Sequence, residues 1–142
     1  MNNARHLLQG KDGAIHAVAP GDSVLEAIRR MAQHHVGALL VMEGETLVGI
    51  VSERDYARKV ILKDRSSRDT RVADIMSSPV ITVPPDATLD ACMRTVTDRR
   101  VRHLPVVEGG RVLGVLSIGD LVKAVIDAQA REIEQLQSYI ST

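Results

Sequence analysis

Gly49-Ile-Val-Ser-Glu-Arg-Asp55 occurs a second time as Gly114-Val-Leu-Ser-Ile-Gly-Asp120, and the two copies stand 65 residues apart from the glycine to the aspartate. The offset holds without a gap from Ile15 against Val80 to Ile61 against Ile126. Pro20 falls on Pro85, Val36 on Val101, Leu39 on Leu104 and Glu43-Gly44 on Glu108-Gly109. Two copies are too few for a solenoid, so the repetition predicts a two-fold pair.

Working outward from each copy gives the same order of elements. Ile15–Val18 and Val80–Val83 are short extended pieces, closed by Pro20-Gly-Asp and Pro84-Pro-Asp. Ser23 and Thr88 follow as helix caps, and Glu26 is placed to complete a capping box with Ser23. Val24, Ile28 and Met31, then Leu89, Met93 and Val96, recur at helical spacing. The apolar runs Val36–Met42 and Val101–Val107 read as strands that turn at Glu43-Gly-Glu and Glu108-Gly-Gly into Leu47–Val51 and Val112–Leu116. Ser52 opens a helix to about Leu62, and its counterpart runs from about Gly119 to Tyr139 with an apolar stripe of Leu121, Val125, Ile133, Leu136 and Ile140.

Each repeat is therefore β-α-β-β-α. A three-stranded sheet with one covered face is marginal alone. The expected fold is α/β (α+β), two pseudo-symmetric repeats packed sheet to sheet, with extra helical segments at both ends. The expected divisions are 1–14, a segment broken at Gly10 and Gly13; 15–62, repeat one; 63–79, a linker, polar from Lys63 to Arg71 and then a helical turn at Val72–Met76; 80–127, repeat two; and 128–142, a helical extension.

Composition narrows the function. Lys+Arg and Asp+Glu both number 18 and aromatics make up 1%, which argues against a general nucleic-acid binder or a membrane-surface binder and removes base-stacking platforms. Cys92 stands alone, so neither an internal disulfide nor a thiolate metal cluster can form; it is expected inside a helix. No apolar run reaches the roughly 18 residues of a membrane span, and Met1–His6 lacks the apolar core of a signal peptide. A cytoplasmic protein is the expectation. The five histidines share no spacing with acids or Cys92 that suggests a metal site or a triad, and no Gly-x-x-x-x-Gly-Lys loop is present, so no enzyme is expected.

Pro85-Asp-Ala-Thr88, Arg102-His-Leu-Pro-Val106 and the paired Gly-h-h-Ser-x-x-Asp segments (h apolar) together resemble the cystathionine β-synthase (CBS) domain, present as a tandem pair or Bateman module. The resemblance covers 15–62 and 80–126. It implies a regulatory module that binds an adenosine compound (AMP, ADP, ATP, NAD or S-adenosylmethionine) and acts on a separate protein without catalysing a reaction.

The Ser-x-x-Asp segments also have a reading from the residues themselves. Ser52 and Ser117 lie where a strand becomes a helix, so free N–H groups and the positive dipole end can receive an anion. Asp55 and Asp120, one turn in, could accept two hydrogen bonds from vicinal hydroxyls. Gly49 and Gly114, inside apolar strands, mark close approach of a ligand or another backbone. The competing reading is an ordinary capping box; a capping serine can also face a ligand.

Arg102 and His103 replace Gly37 and Ala38 of the first repeat, so the repeats are alike in scaffold and different in charge. By the resemblance, Arg102 contacts nucleotide phosphates with the assistance of His103. Arginine suits phosphate because its charge is permanent and its donors are paired. The resemblance further implies two clefts of mixed origin. One combines Ile81, Thr82, Val101, Arg102 and His103 with Ile50, Ser52, Arg54 and Asp55. The other combines Lys11, His16, Val36, Gly37 and Ala38 with Val115, Ser117 and Asp120. Arg54 should favour phosphates in the first, since its counterpart is Gly119. The alternative function is a ligand-free scaffold that dimerises through its helices. A homodimer is expected under both readings, because small repeats cannot bury all their apolar helix faces.

Overall fold

Ser23 and Thr88 act as their positions require. The Oγ of Ser23 accepts the Glu26 N–H at 3.1 Å and the Oγ1 of Thr88 accepts the Ala91 N–H at 3.0 Å, each satisfying an orphan donor for about 1 kcal/mol. The helices that follow are α2 (Val24–His34) and α4 (Leu89–Asp98), after a short α1 (Ala4–Leu8). The Glu26 carboxylate does not complete the expected capping box. It turns to Arg30 Nε at 3.0 Å, a charge-assisted partner one turn along the same face. His35 ends α2 in the left-handed region at φ 55°.

The computed structural model describes residues 2–141. Its strands are β1 (Ala17–Val18), β2 (Ala38–Glu43), β3 (Thr46–Ser52), β4 (His103–Glu108) and β5 (Arg111–Ser117). The remaining helices are α3 (Glu53–Lys59) and α5 (Ile118–Ser141). These elements divide into two compact units. Ala14–Ile81 make one, and 2–13 together with 82–141 make the other.

In the first-repeat unit, β1 pairs parallel to β2 and β2 antiparallel to β3. Its core is Val18, Val24, Ala27, Met31, Leu39, Val41, Val51, Val60, Val72 and Ile75, all aliphatic as the composition requires. In the second-repeat unit the buried residues include Val83, Leu89, Cys92, Val96, Leu104, Val106, Leu116 and Leu121. Most of these lie 65 positions after a core residue of the first. Cys92 is fully buried within α4, and burial raises the pKa of its thiol. Both hairpins carry a register shift at matching places, Val41/Met42 and Val106/Val107.

The repeats differ from expectation in two places. The second sheet has two strands, because of Val80–Val83 only Val83 pairs, in a parallel bridge with Val106. Pro84 and Pro85 follow it and have no N–H to extend a ladder. In the first repeat, α3 stops at Lys59, short of Leu62. The carbonyl of the buried Val60 collects the N–H groups of Lys63 and Arg65, and the chain turns through a 3₁₀ segment, Ile61–Lys63.

The linker is not a loose tether. The Thr70 and Ser67 carbonyls accept the N–H groups of Val24 and Leu25, both at 2.9 Å, and so satisfy donors at the start of α2. The Val72 and Ala73 N–H groups in turn donate to the carbonyls of Asp22 and Pro20, both at 2.9 Å. The second-repeat unit has the same construction with residues 2–8. The N–H of Leu89 donates to Asn2 O at 2.8 Å, that of Ala4 to Ala87 O at 2.8 Å and that of Arg5 to Pro85 O at 2.9 Å. Asn3 bridges to Thr88 as Arg71 bridges to Ser23. A leader segment thus recurs at a 68-residue offset, Asn3 for Arg71 and Ala4 for Val72. Each leader packs on the repeat that does not follow it in the sequence.

Candidate functional site

Each Ser-x-x-Asp segment is built by the end of a hairpin. Ala38 is the register partner of Ser52, and His103 that of Ser117. In the first-repeat unit Asp55 Oδ2 accepts from the N–H of Ser52 at 2.9 Å and from its hydroxyl at 3.0 Å, while the Asp55 N–H donates to Ser52 Oγ at 3.1 Å. In the second-repeat unit the Ser117 N–H donates to Asp120 Oδ2 at 2.8 Å, and the Asp120 N–H to Ser117 Oγ at 3.1 Å. Both are reciprocal capping boxes.

The cap uses groups that the sequence reading assigned to an anion. The N–H of Glu53 donates to Gly37 O at 3.0 Å and that of Ile118 to Arg102 O at 2.8 Å. With the Asp N–H on the serine oxygen, two donors of each first turn are taken within the chain. The glycines also have protein neighbours. A Cβ on Gly49 would stand 2.5 Å from Met76 Sδ and 3.2 Å from Ser77 O, and one on Gly114 would stand 2.8 Å from Leu8 Cδ2. The leader segments make the close approach, with a backbone carbonyl and a side chain at Gly49 but, contrary to the expectation of a ligand or backbone, a side chain alone at Gly114.

The aspartates differ in their cations. Lys59 Nζ lies 3.1 Å from Asp55 Oδ1 and also donates to Ile75 O at 2.8 Å. The residue 65 positions on from Lys59 is Ala124. For Asp120 the ammonium comes from Lys11, whose Nζ stands 2.7 Å from Oδ2. Burial raises the pKa of the Asp120 carboxyl, but the Lys11 ammonium and the Ser117 N–H and hydroxyl outweigh it and hold the pKa below the usual value.

His103 belongs to the same cluster. Burial lowers its imidazole pKa first, then the Lys11 ammonium and the Arg102 guanidinium; Asp120 acts in the opposite sense. The ring is neutral at neutral pH, able to donate from one nitrogen and accept at the other. Arg102 itself is exposed.

Lys11, Thr82, Val101, Arg102, His103, Val115, Ser117 and Asp120 lie in the second-repeat unit; His16, Val36, Gly37, Ala38, Ile50, Ser52, Arg54, Asp55 and Ile81 lie in the first. Lys11, Ser117 and Asp120 meet, and so do Ser52 and Asp55; His103, expected with Ser52 and Asp55, instead stands beside Ser117 as its register partner and next to Lys11 and Asp120. His16 stacks on His34, ring centroids 3.9 Å apart, and its carbonyl accepts the Leu40 N–H, so its immediate partners are structural. Sequence reasoning missed Lys59, although Asp55-x-x-x-Lys59 is a readable i,i+4 pair. It also missed the leader repeat, whose signal is the hydrogen-bond pattern and not residue identity. Among the described residues no group of three or more histidine, cysteine or acidic side chains could hold a metal ion, and no helix is long and apolar enough to cross a membrane.

The CBS domain profile matches residues 14–62 and 72–127. The chain is 42% identical over 134 residues to the CBS domain-containing protein CBSX3, mitochondrial, of Arabidopsis thaliana, covering 91% of this chain and 65% of that protein's length. Among solved structures it resembles one described as a signal-transduction protein with CBS domains from Burkholderia ambifaria, at 47% identity and TM-score 0.87 over 90% of this chain and 96% of that one. A CBS-domain protein of Agrobacterium tumefaciens matches at 34% identity and TM-score 0.82 over 87% and 98% of the two chains. CBS domains are generally regulatory, non-catalytic modules that commonly bind adenosine-containing ligands. With two matched segments and a repeat offset that runs through both, the chain belongs to the CBS domain family, as a tandem pair.

Proposed function

We propose that this chain is a cytoplasmic, non-catalytic sensor of an adenine nucleotide or related adenosine compound (AMP, ADP, ATP, NAD or S-adenosylmethionine) that acts on a separate protein. The observation that supports this reading most is the cluster in the second-repeat unit. Lys11, Arg102 and His103 supply cationic and neutral donors, and Asp120 is an ionised acceptor held one helical turn from Ser117. Phosphate needs the first kind of group and vicinal ribose hydroxyls the second. The first-repeat unit carries an equivalent cap of its own, with Ser52, Arg54 and Asp55. Binding would stabilise the state with the higher affinity, and regulation follows only from that difference.

Calorimetric titration of the purified protein with each of the five compounds tests the reading. Saturable micromolar binding of one of them, weakened at least about tenfold by Arg102→Ala, is the expected result; tenfold corresponds to ~1.4 kcal/mol. No heat with any ligand overturns it.

A second reading, a ligand-free scaffold, draws on the exposed apolar side chains of α5. Homodimerisation is proposed under both. Arg102→Ala separates them, since it should leave the oligomer unchanged.

A further inference from the structure

α5 has 24 residues and only its first turns pack on its own unit. Leu121 is fully buried, and Ala124, Val125 and Ala128 are half-buried on the inner face. From Gln129 to Ser141 every residue is exposed. The exposed surface of α5 is not uniformly polar. Val122, Ile126, Ile133, Leu136 and Ile140 are exposed by 43%, 58%, 55%, 57% and 81%.

Their spacing is seven-fold. Ile126, Ile133 and Ile140 recur at one heptad position, and Val122, Gln129 and Leu136 recur four residues earlier at the other. Asp127, Arg131 and Glu134 fall on the outside. The flanking positions hold Ile118, Val125, Ala130, Gln137 and Tyr139, with Lys123 and Glu132 the two charges.

We propose that this stripe pairs, parallel and in register, with the same stripe of a second copy of this chain. With Ile126, Ile133 and Ile140 at the a position and Leu136 at one of the three d positions, the pattern favours two strands over three or four. Tyr139, 83% exposed beside the seam, extends this apolar face. The six seam residues span about 27 Å of helix. A strongly charged partner would find almost nothing to match, whereas an uncharged seam is complementary to itself.

Charge and polarity fix the orientation. The antiparallel alignment that pairs Val122 with Ile140 and Ile126 with Leu136 sets Gln129 against Ile133 of the second copy and brings the two Glu132 carboxylates together. That alignment buries an amide without a partner and opposes like charges. The parallel alignment sets Gln129 amide against Gln129 amide and Glu132 near Gln137. One polar layer then also specifies register.

The inference deepens the expectation of self-association and is independent of nucleotide binding, so either can fail alone. Light scattering of the full chain across a concentration series reads the oligomer. The expected result is a dimer whose dissociation constant rises by about a hundredfold or more in Ile133→Asp, which puts two carboxylates in one apolar layer. Ile133 is exposed in the single chain, so circular dichroism should show the fold retained, and Ile133→Ala gives a milder shift in the same direction. Ile140→Cys should form a disulfide-linked dimer on mild oxidation, while Cys92 stays buried. A monomer at every concentration overturns the proposal, as does a dimer insensitive to Ile133→Asp. Cross-linking of Ile140→Cys to Val122→Cys in a mixed sample, without Ile140→Cys self-linking, overturns the parallel orientation.

Discussion

Lys11 Nζ lies 2.7 Å from Asp120 Oδ2, so a residue from the start of the chain supplies the cation that in the first repeat comes from within the helix itself, Lys59 on Asp55. Lys11→Ala should therefore move the Asp120 carboxyl titration toward its ordinary value, read by NMR. Both side chains are about one-third exposed, so the stability cost at neutral pH stays below about 1 kcal/mol. The sign follows from a depressed folded pKa. The contribution is present above the unfolded value, about 3.9, and fades as pH falls through the lower folded value. The gap between wild type and Lys11→Ala should thus narrow as pH falls, first below about 6.5, where Lys11 opposes protonation of His103, and then in stronger acid, where Asp120 protonates. Divergence on acidification would contradict the pairing.

His103 titrates against the same lysine. Its pKa is lowered by burial, then by Lys11 and Arg102. The folded state therefore holds the neutral ring, and stability present above about 6.5 is lost as pH falls below that value and through the lower folded one. Chemical denaturation at a series of pH values should show this loss in wild type and a flatter profile in His103→Gln. Lys11→Met should raise the His103 midpoint, because it removes one of the cations that oppose protonation. An unchanged midpoint in Lys11→Met would leave burial and Arg102 as the causes.

The scaffold was legible because a hydrophobic core leaves its period in the sequence. Val18 and Val83, Leu39 and Leu104, and Val51 and Leu116 are buried at matched positions, and an offset of 65 residues was enough to align them. The Ser-x-x-Asp pairs were equally visible, and so was the capping alternative that the hydrogen bonds display. The leader segments were not. Asn2-Asn-Ala-Arg and Thr70-Arg-Val-Ala do the same work with backbone N–H and carbonyl groups, which every residue carries. They also sit at a different offset, so an alignment of the repeats passes over them. The resemblance grouped Lys11 with Asp120, but their salt bridge leaves no mark in the spacing, since it depends on where the leader packs.

The leaders make the two strand glycines unequal. At Gly49 a methyl group would meet the Met76 side chain and, at 3.2 Å, the carbonyl of Ser77. That carbonyl accepts the Ile50 N–H at 3.1 Å and cannot retreat without loosening the bond. At Gly114 the methyl group would meet only the end of Leu8. Urea denaturation should show Gly49→Ala costing about 1–3 kcal/mol and Gly114→Ala less than about 1 kcal/mol. Adding Leu8→Ala to Gly114→Ala should cost less than the two single changes together, because the overlap is relieved. Equal costs at the two glycines would count against the distinction between backbone and side-chain neighbours.

Removing residues 1–12 offers the sharpest test of the leader arrangement, because sequence proximity and structure give opposite answers. The segment precedes the first repeat, yet Asn2, Ala4 and Arg5 bond to Leu89, Ala87 and Pro85 of the second. Three backbone hydrogen bonds at ~1 kcal/mol each, together with the fully buried Ala4, put the loss near 3 kcal/mol. Leu89 N–H would lose its acceptor at the start of α4, while Val24 N–H keeps Thr70 O at the start of α2. Hydrogen exchange on the truncated chain should accordingly show faster exchange at Leu89 and its neighbours and little change at Val24 and Leu25. Faster exchange at Val24 with Leu89 unaffected would mean that the leader serves the repeat it precedes.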